Sequence, residues 1–343
     1  MNELLGQAWA PSTVTRYRGG MAKYARFCRD SGRILQDGSV EVPREVDLLE
    51  FVGHAHGVWK MSAAAVQTAL CAVGHWCRCR LGIDPFEQDN GRPFPRLRGV
   101  LRGLRRKTGK PRKPKEPLTT DRLLIIVEWA RSTEVWGSQT SGICAALCLA
   151  VFGMLRVSEY AASRRRGTDE EDTLGGDLRW ITAANGTVEG FELVLRRSKT
   201  DPFRRGQTLR LFNTGTAHCP VANLKAFVTG RLGLEEAPLF RLADGSNLTR
   251  GVLAKAVKQA ASALGWNPKQ FSTHSCRAGG CVSAAAAGAG TGIIAALGRW
   301  RSSCYKDYLR LTAKMVAETQ GKMARVSAVD VTQRQVHGVQ PPD

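Results

Sequence analysis

The sequence predicts a mainly α-helical protein of two domains, the second carrying a small three-stranded antiparallel sheet. Three observations lead there. A chain of 343 residues is long enough to bury two cores. Apolar residues recur at helical spacing through most of the length. One stretch, 179–212, instead alternates apolar and polar residues around a tight-turn Asn185-Gly186 pair.

The first predicted helix opens at Pro11, with Ser12 and Thr13 as capping types, and sets Val14, Tyr17, Met21, Tyr24 and Phe27 on one face. Its other face carries Arg16, Arg18, Lys23, Arg26 and Arg29, making a basic amphipathic helix. Helices are further expected over Glu45–Gly57, Ser62–Leu81 and Arg92–Arg106, completing an all-α domain over residues 1–107. A basic linker, 108–117, follows. From Arg92 to Lys115 there are eleven Lys or Arg and no acid, and the KTGKPRKPKEP segment is too charged and proline-rich to fold by itself. Such a run is often only solvated surface or a localisation signal, but between two domains it suits a strap along a phosphate backbone.

The second domain, 118–327, opens with a Thr119 or Thr120 cap ahead of Leu123, Leu124, Val127 and Trp129. A buried helix is expected over Gly142–Phe152, then strands over Arg179–Ala184, Phe191–Arg196 and Gln207–Phe212, with Lys199 between the second and third. Helices return at Val221–Leu232, Arg250–Leu264, Arg277–Ala287, Gly292–Gly298 and through Tyr305 to Thr319, punctuated by Gly288, Gly290 and Gly292. Residues 328–343 read as a loose polar tail.

Composition narrows the function. With 43% hydrophobic and 23% charged residues the chain is an ordinary folded one, but its formal charge of +20 favours a polyanionic partner, nucleic acid before an anionic membrane surface. The longest apolar stretch, 142–155, is too short to span a bilayer, and MNELLGQAWAPSTV has no basic region followed by an apolar one, so an intracellular protein is expected. Ten cysteines without framework spacing read as reduced thiols. Cys71, His75 and Cys79 share a helical face but show no fourth ligand, and no metal is expected there.

The candidate chemistry lies in Arg156 of FGMLRVSEY, Lys199 of RRSKTD, His274 and Arg277 of FSTHSCRAGG, and Trp300, Tyr305 and Tyr308 of GRWRSSCYKDYLR. Taken singly, each has an ordinary reading: a surface Arg156–Glu159 pair, a capping or core His274, a first-turn Arg277, packing tyrosines. Arg277 is the least ordinary, because a cation near a helix N-terminus is electrostatically disfavoured unless an anion compensates it. Together, two planar guanidiniums and a lysine can neutralise charge growing on a phosphodiester and protonate a leaving oxygen, while a tyrosine hydroxyl attacks.

This combination resembles the tyrosine recombinases, or phage-type integrases, over nearly the whole chain. The resemblance implies a SAM-like N-terminal core-binding domain and a helical catalytic domain. It also implies that Arg156 and Arg277 clamp the scissile phosphate and Lys199 protonates the leaving 5′ oxygen. His274 would assist proton movement, with Glu159 supporting; Trp300 would donate its indole N–H to the phosphate, and Tyr308 would attack. Where the family usually has nine residues from its His or Trp to the nucleophile, Trp300 stands eight before Tyr308 and five before Tyr305, leaving Tyr305 as the alternative nucleophile. HSCRAGG with GRWRSS looks closer to recombinases of DIRS-type retroelements than to the bacterial HxLRH pattern.

The implied activity is site-specific recombination through a covalent 3′-phosphotyrosine, without metal, ATP or other cofactor, by a homo-tetramer on paired double-stranded DNA sites and with no membrane partner. The nucleus of a eukaryote or the cytoplasm of a bacterium would house it. Arg16, Arg18, Lys23, Arg105, Arg106, Lys107, Lys110, Arg112, Lys113 and Lys115 are the expected DNA contacts. The alternatives are a catalytically idle DNA-binding descendant and a type IB-like topoisomerase.

Overall fold

The computed structural model describes residues 9–33, 42–86, 94–109, 115–198, 201, 203, 205–231, 233–300, 302–309, 317 and 320–321. The chain divides into two compact units, Met1–Lys113 and Pro114–Asp343. No described helix is long and apolar enough to cross a membrane.

The first unit is built from α1 (Pro11–Asp30), α2 (Glu45–Gly57), α3 (Ala63–Leu81) and α4 (Pro95–Thr108). Tyr24 and Phe27 of α1 bury against Phe51 of α2 and Val66, Leu70 and Val73 of α3, with Tyr24 edge-on to Phe51 at 5.2 Å between centroids. Gly20 lets α1 and α3 touch, since a Cβ there would fall 2.7 Å from the Cβ of Ala72. Helix α4 buries only Leu97 and Leu104, and Glu45 Oε1 accepts a bond from the Leu97 N–H at 3.0 Å, pinning it to α2. Its remaining surface is cationic and exposed. His75 packs between Trp9 and Tyr17, with Cys79 Sγ 3.5 Å from its Nδ1; among the described residues no three His, Cys, Asp or Glu gather as metal ligands.

The second unit is organised around α6 (Thr140–Phe152), buried from Gly142 to Val151 because it is apolar on every side. Helices α5 (Thr120–Thr133), α7 (Pro220–Val228), α8 (Arg250–Ala263), α9 (His274–Ala286) and α10 (Thr291–Leu297) complete the helical part. The sheet, β1 (Leu178–Thr182), β2 (Val188–Leu195) and β3 (Gln207–Phe212), is antiparallel in the order β1-β2-β3, with Trp180 opposite Phe191 and Phe191 opposite Leu211. Phe191, Leu193, Leu195, Leu209 and Leu211 join the core of this unit, as the alternation requires. Gly186 takes φ 78° in the β1–β2 turn.

Several expected elements differ: β1 and β2 run over Leu178–Thr182 and Val188–Leu195 rather than Arg179–Ala184 and Phe191–Arg196. Helix α7 ends at Val228 rather than Leu232, because Thr229 turns extended and Gly230 takes φ 74°. Helix α9 begins at His274, a turn before the expected start at Arg277, with Thr273 ahead of it. No α-helix runs through Tyr305: Ser303–Asp307 form a 3-10 turn and Tyr308 follows in a turn, while residues 310–316 lie outside the described ones.

Candidate active site

The site grows from the C-terminal end of α6. Past Phe152 the chain turns through Met154, held at φ 46°, and Leu155, so that Arg156 caps a 3-10 turn over Val157–Glu159. Glu159 is 1% exposed, and its carboxylate gathers four donors. The Arg156 N–H reaches Oε2 at 2.9 Å, Arg156 Nη1 and Ser198 Oγ reach Oε1 at 2.8 and 3.0 Å, and Arg299 Nη2 reaches Oε2 at 3.2 Å. Burial works to protonate Glu159, but the field of Arg299 and the bonds from Arg156 overcome it and hold its pKa below the ordinary carboxylate value. The expected surface pair is therefore part of a buried ionic hub, in which removing Glu159 would leave two neighbouring guanidiniums without their counter-charge.

Helix α9 brings the second arginine. Gly279 and Gly280 lie so close to neighbouring backbone that a Cβ would come 1.8 Å from Leu118 O and 2.1 Å from Val151 O. That approach drives Arg277, one turn earlier, wholly into the interior at 0% exposure. Its Nη1 donates to Met154 O, its Nη2 donates to Gly298 O at 2.6 Å, and its guanidinium lies 4.3 Å over the Trp300 ring. Desolvation, then the charge of Arg156, lowers its pKa to about 10, which leaves it cationic at neutral pH. The anion that a first-turn cation calls for is supplied through space by Glu159, whose field opposes the shift.

His274 opens the same helix and is exposed, with its Nε2 2.8 Å from Tyr308 Oη. Loss of water on its packed side, then the fields of Arg277, Arg156 and Arg250, lowers its pKa below the ordinary imidazole value. Trp300 joins the two tyrosines, 5.7 Å from Tyr308 and 5.9 Å from Tyr305 between ring centroids. Of the two hydroxyls, Tyr308's meets the histidine.

Arg156, Glu159, His274, Arg277, Trp300, Tyr305 and Tyr308 thus come together. Lys199, Lys110, Arg112, Lys113 and the Arg310 that follows the tyrosine motif lie outside the described residues; Ser198, next to Lys199, touches Glu159. Arg16, Arg18 and Lys23 on α1, and Arg106 and Lys107 on α4, are exposed, and Arg105 Nη2 donates to Gln67 Oε1 at 3.0 Å. Lys115 Nζ donates to Lys269 O at 2.5 Å. Arg299 is not singled out by the sequence, because the anchors that tie it to the site, Glu159 and Gly153, lie 140 and 146 residues away. The only local signal was a third basic residue wedged between Gly298 and Trp300.

No family model and no curated protein matches the chain. Solved structures do. The XerH site-specific recombinase bound to its difH substrate, in a pre-cleavage complex, aligns with TM-score 0.55 at 15% identity over 86% of this chain and 76% of that one. A lambda integrase dimer bound to a COC′ core site aligns with TM-score 0.52 at 14% identity, over 90% and 74%. The Tn1549 transposon integrase in complex with transposon right-end DNA gives TM-score 0.52 at 14% identity, over 89% and 99%. At such identities the likeness is one of architecture: the chain has the fold of the tyrosine recombinases and integrases.

Proposed function

We propose that the protein is a DNA strand transferase of the tyrosine recombinase type, cutting and rejoining duplex DNA at specific sites through a covalent 3′-phosphotyrosine. The observation that carries this reading is the Tyr308 hydroxyl, bonded to a histidine of lowered pKa in a site where the fields of three guanidiniums meet one carboxylate. The surplus positive charge suits a phosphodiester, and a neutral imidazole at 2.8 Å can take the phenolic proton.

In the forward step Tyr308 Oη bonds to phosphorus and gives its proton to His274 Nε2, while the bond from phosphorus to the 5′ oxygen breaks. Lys199 supplies the proton that oxygen needs, and Arg156, whose side chain keeps 20% exposure, holds a non-bridging oxygen. Reversal with the 5′ hydroxyl of a second strand completes the exchange, so the ester conserves the bond energy and no nucleotide is consumed. Function as a homo-tetramer on paired sites belongs to this reading, with α1 and α4 as cationic DNA contacts.

One observation favours the idle DNA-binding alternative: Arg277 is wholly buried with Trp300 over its guanidinium, so direct contact with phosphate needs the 298–300 segment to shift. Adduct formation separates the two. Wild-type protein is mixed with a pool of duplexes with randomised centres and staggered nicks, and DNA surviving detergent and phenol extraction with protein attached is recovered and sequenced. Adducts formed by wild type and Tyr305→Phe, and absent in Tyr308→Phe with duplex binding retained, are the expected result. Binding without adduct in wild type would overturn the proposal; disappearance with Tyr305→Phe alone would move the nucleophile to Tyr305.

A further inference from the structure

Arg299 stands between the two site arginines and the segment that carries the tyrosines. Its backbone is left-handed, φ 55°, a conformation a non-glycine residue keeps only when its surroundings impose it. The turn aims the preceding carbonyl, Gly298 O, at Arg277 and lays the following ring, Trp300, under the same guanidinium. The side chain is 10% exposed and runs the other way: Nη1 donates to Gly153 O and Leu297 O at 3.1 Å each, and Nη2 reaches the Glu159 carboxylate. One residue therefore joins the segment carrying Trp300 and Tyr308 to the carboxylate that holds Arg156 and Ser198.

We propose that Arg299 is a positioning residue for strand transfer, its guanidinium fixing Glu159 and through it the Arg156 guanidinium beside Ser198. The inference rests on the strand-transfer reading above. The bonds of Arg299 go to two carbonyls and one carboxylate, so its influence on the reaction passes through Glu159. A contribution of the backbone turn alone is separable in principle, because glycine adopts the left-handed conformation without strain and carries no guanidinium.

The test uses a duplex recovered from the randomised pool and follows single-turnover adduct formation by full-length protein. Arg299→Gly is expected to slow it about 100-fold, the loss typical of a catalytic group displaced by about 1 Å, with duplex affinity within about twofold of wild type. Arg299→Lys, which keeps the charge, should recover part of that loss. In a Glu159→Gln background, Arg299→Gly should cost less than about threefold, since the partner through which it acts is gone. The pH profile adds a readout that packing alone would not move. Glu159 faces Arg156 and Arg299, with Arg277 beyond; removing Arg299 raises the pKa of Glu159, so the acid limb of the rate should steepen as a second protonation joins that of His274. Full activity in Arg299→Gly, or equal losses in both backgrounds, would overturn Arg299's role while leaving the strand-transfer reading intact. An absence of adduct in wild type would overturn both. Thermal melts accompany each variant, and if Arg299→Gly does not fold, the rate and pH profile of Arg299→Lys decide.

Discussion

At His274 the direction of the pH response follows from its neighbours. Partial burial, then Arg277, Arg156 and Arg250, favours the neutral imidazole, so the proton acceptor proposed for Tyr308 is available at neutral pH and is lost only on acidification below the ordinary imidazole value. Arg250 is exposed and heads α8, so it can be changed without opening the core. Arg250→Gln removes one of the cations, must raise the His274 pKa, and should move the acid limb of adduct formation to higher pH. A limb that stays in place would mean that Arg250 does not bear on the histidine. The individual residues of the site were legible as types in the sequence, and their environments were not. Glu159 read as a surface partner three residues from Arg156, yet it is buried because Ser198 and Arg299 close over it from distant parts of the chain. Arg277 read as a clamp, yet its burial comes from a helix packing that no local pattern announces.

That packing belongs to the scale of elements. Helix α9 meets the backbone at Leu118 and at the end of α6 through Gly279 and Gly280, and no other residue fits either place. Gly280→Ala should destabilise the protein by about 3 kcal/mol, the upper part of the usual overpacking range, read as a lowered urea midpoint. It should also slow adduct formation, because Arg277 leaves Met154 O and Gly298 O when the helix retreats. An unchanged midpoint would show that the two backbones have room to separate at no cost. The glycine pair in HSCRAGG was visible in the sequence, but its reason was not: a glycine in a helix is compatible with a cap, a kink or a close approach, and only the neighbour decides. The amphipathic helices and alternating strands were read nearly to their ends, since periodicity is a local property. The stretch after Trp300 was read as an α-helix and is a 3-10 turn through Asp307, which puts Tyr308 Oη on His274. What sets that turn is packing of Tyr305 and Tyr308 on Trp300, which periodicity does not contain.

For the whole molecule, charge is the dominant property. An excess of +20 over 343 residues favours a polyanionic partner, and α4 with its exposed Arg106 and Lys107 beside Arg105 is a concentrated part of it. Replacing Arg105, Arg106 and Lys107 by alanine should weaken duplex binding at every sequence tested. It should also flatten the plot of log affinity against log salt by about 3 units, one for each phosphate no longer neutralised. A slope unchanged by the triple substitution would put the DNA elsewhere. By itself the amino-acid sequence determined the helical class, the small sheet, the basic character and the candidate residues of the site, because composition, periodicity and residue chemistry are carried by each short segment. Tertiary structure alone decided that Glu159 is a hub, that Arg277 is enclosed, that Tyr308 meets His274 and that Arg299 belongs to the site. Each of these depends on which segments, from 34 to 146 residues apart, come within a few ångströms, a matter of close packing between surfaces rather than of any one stretch.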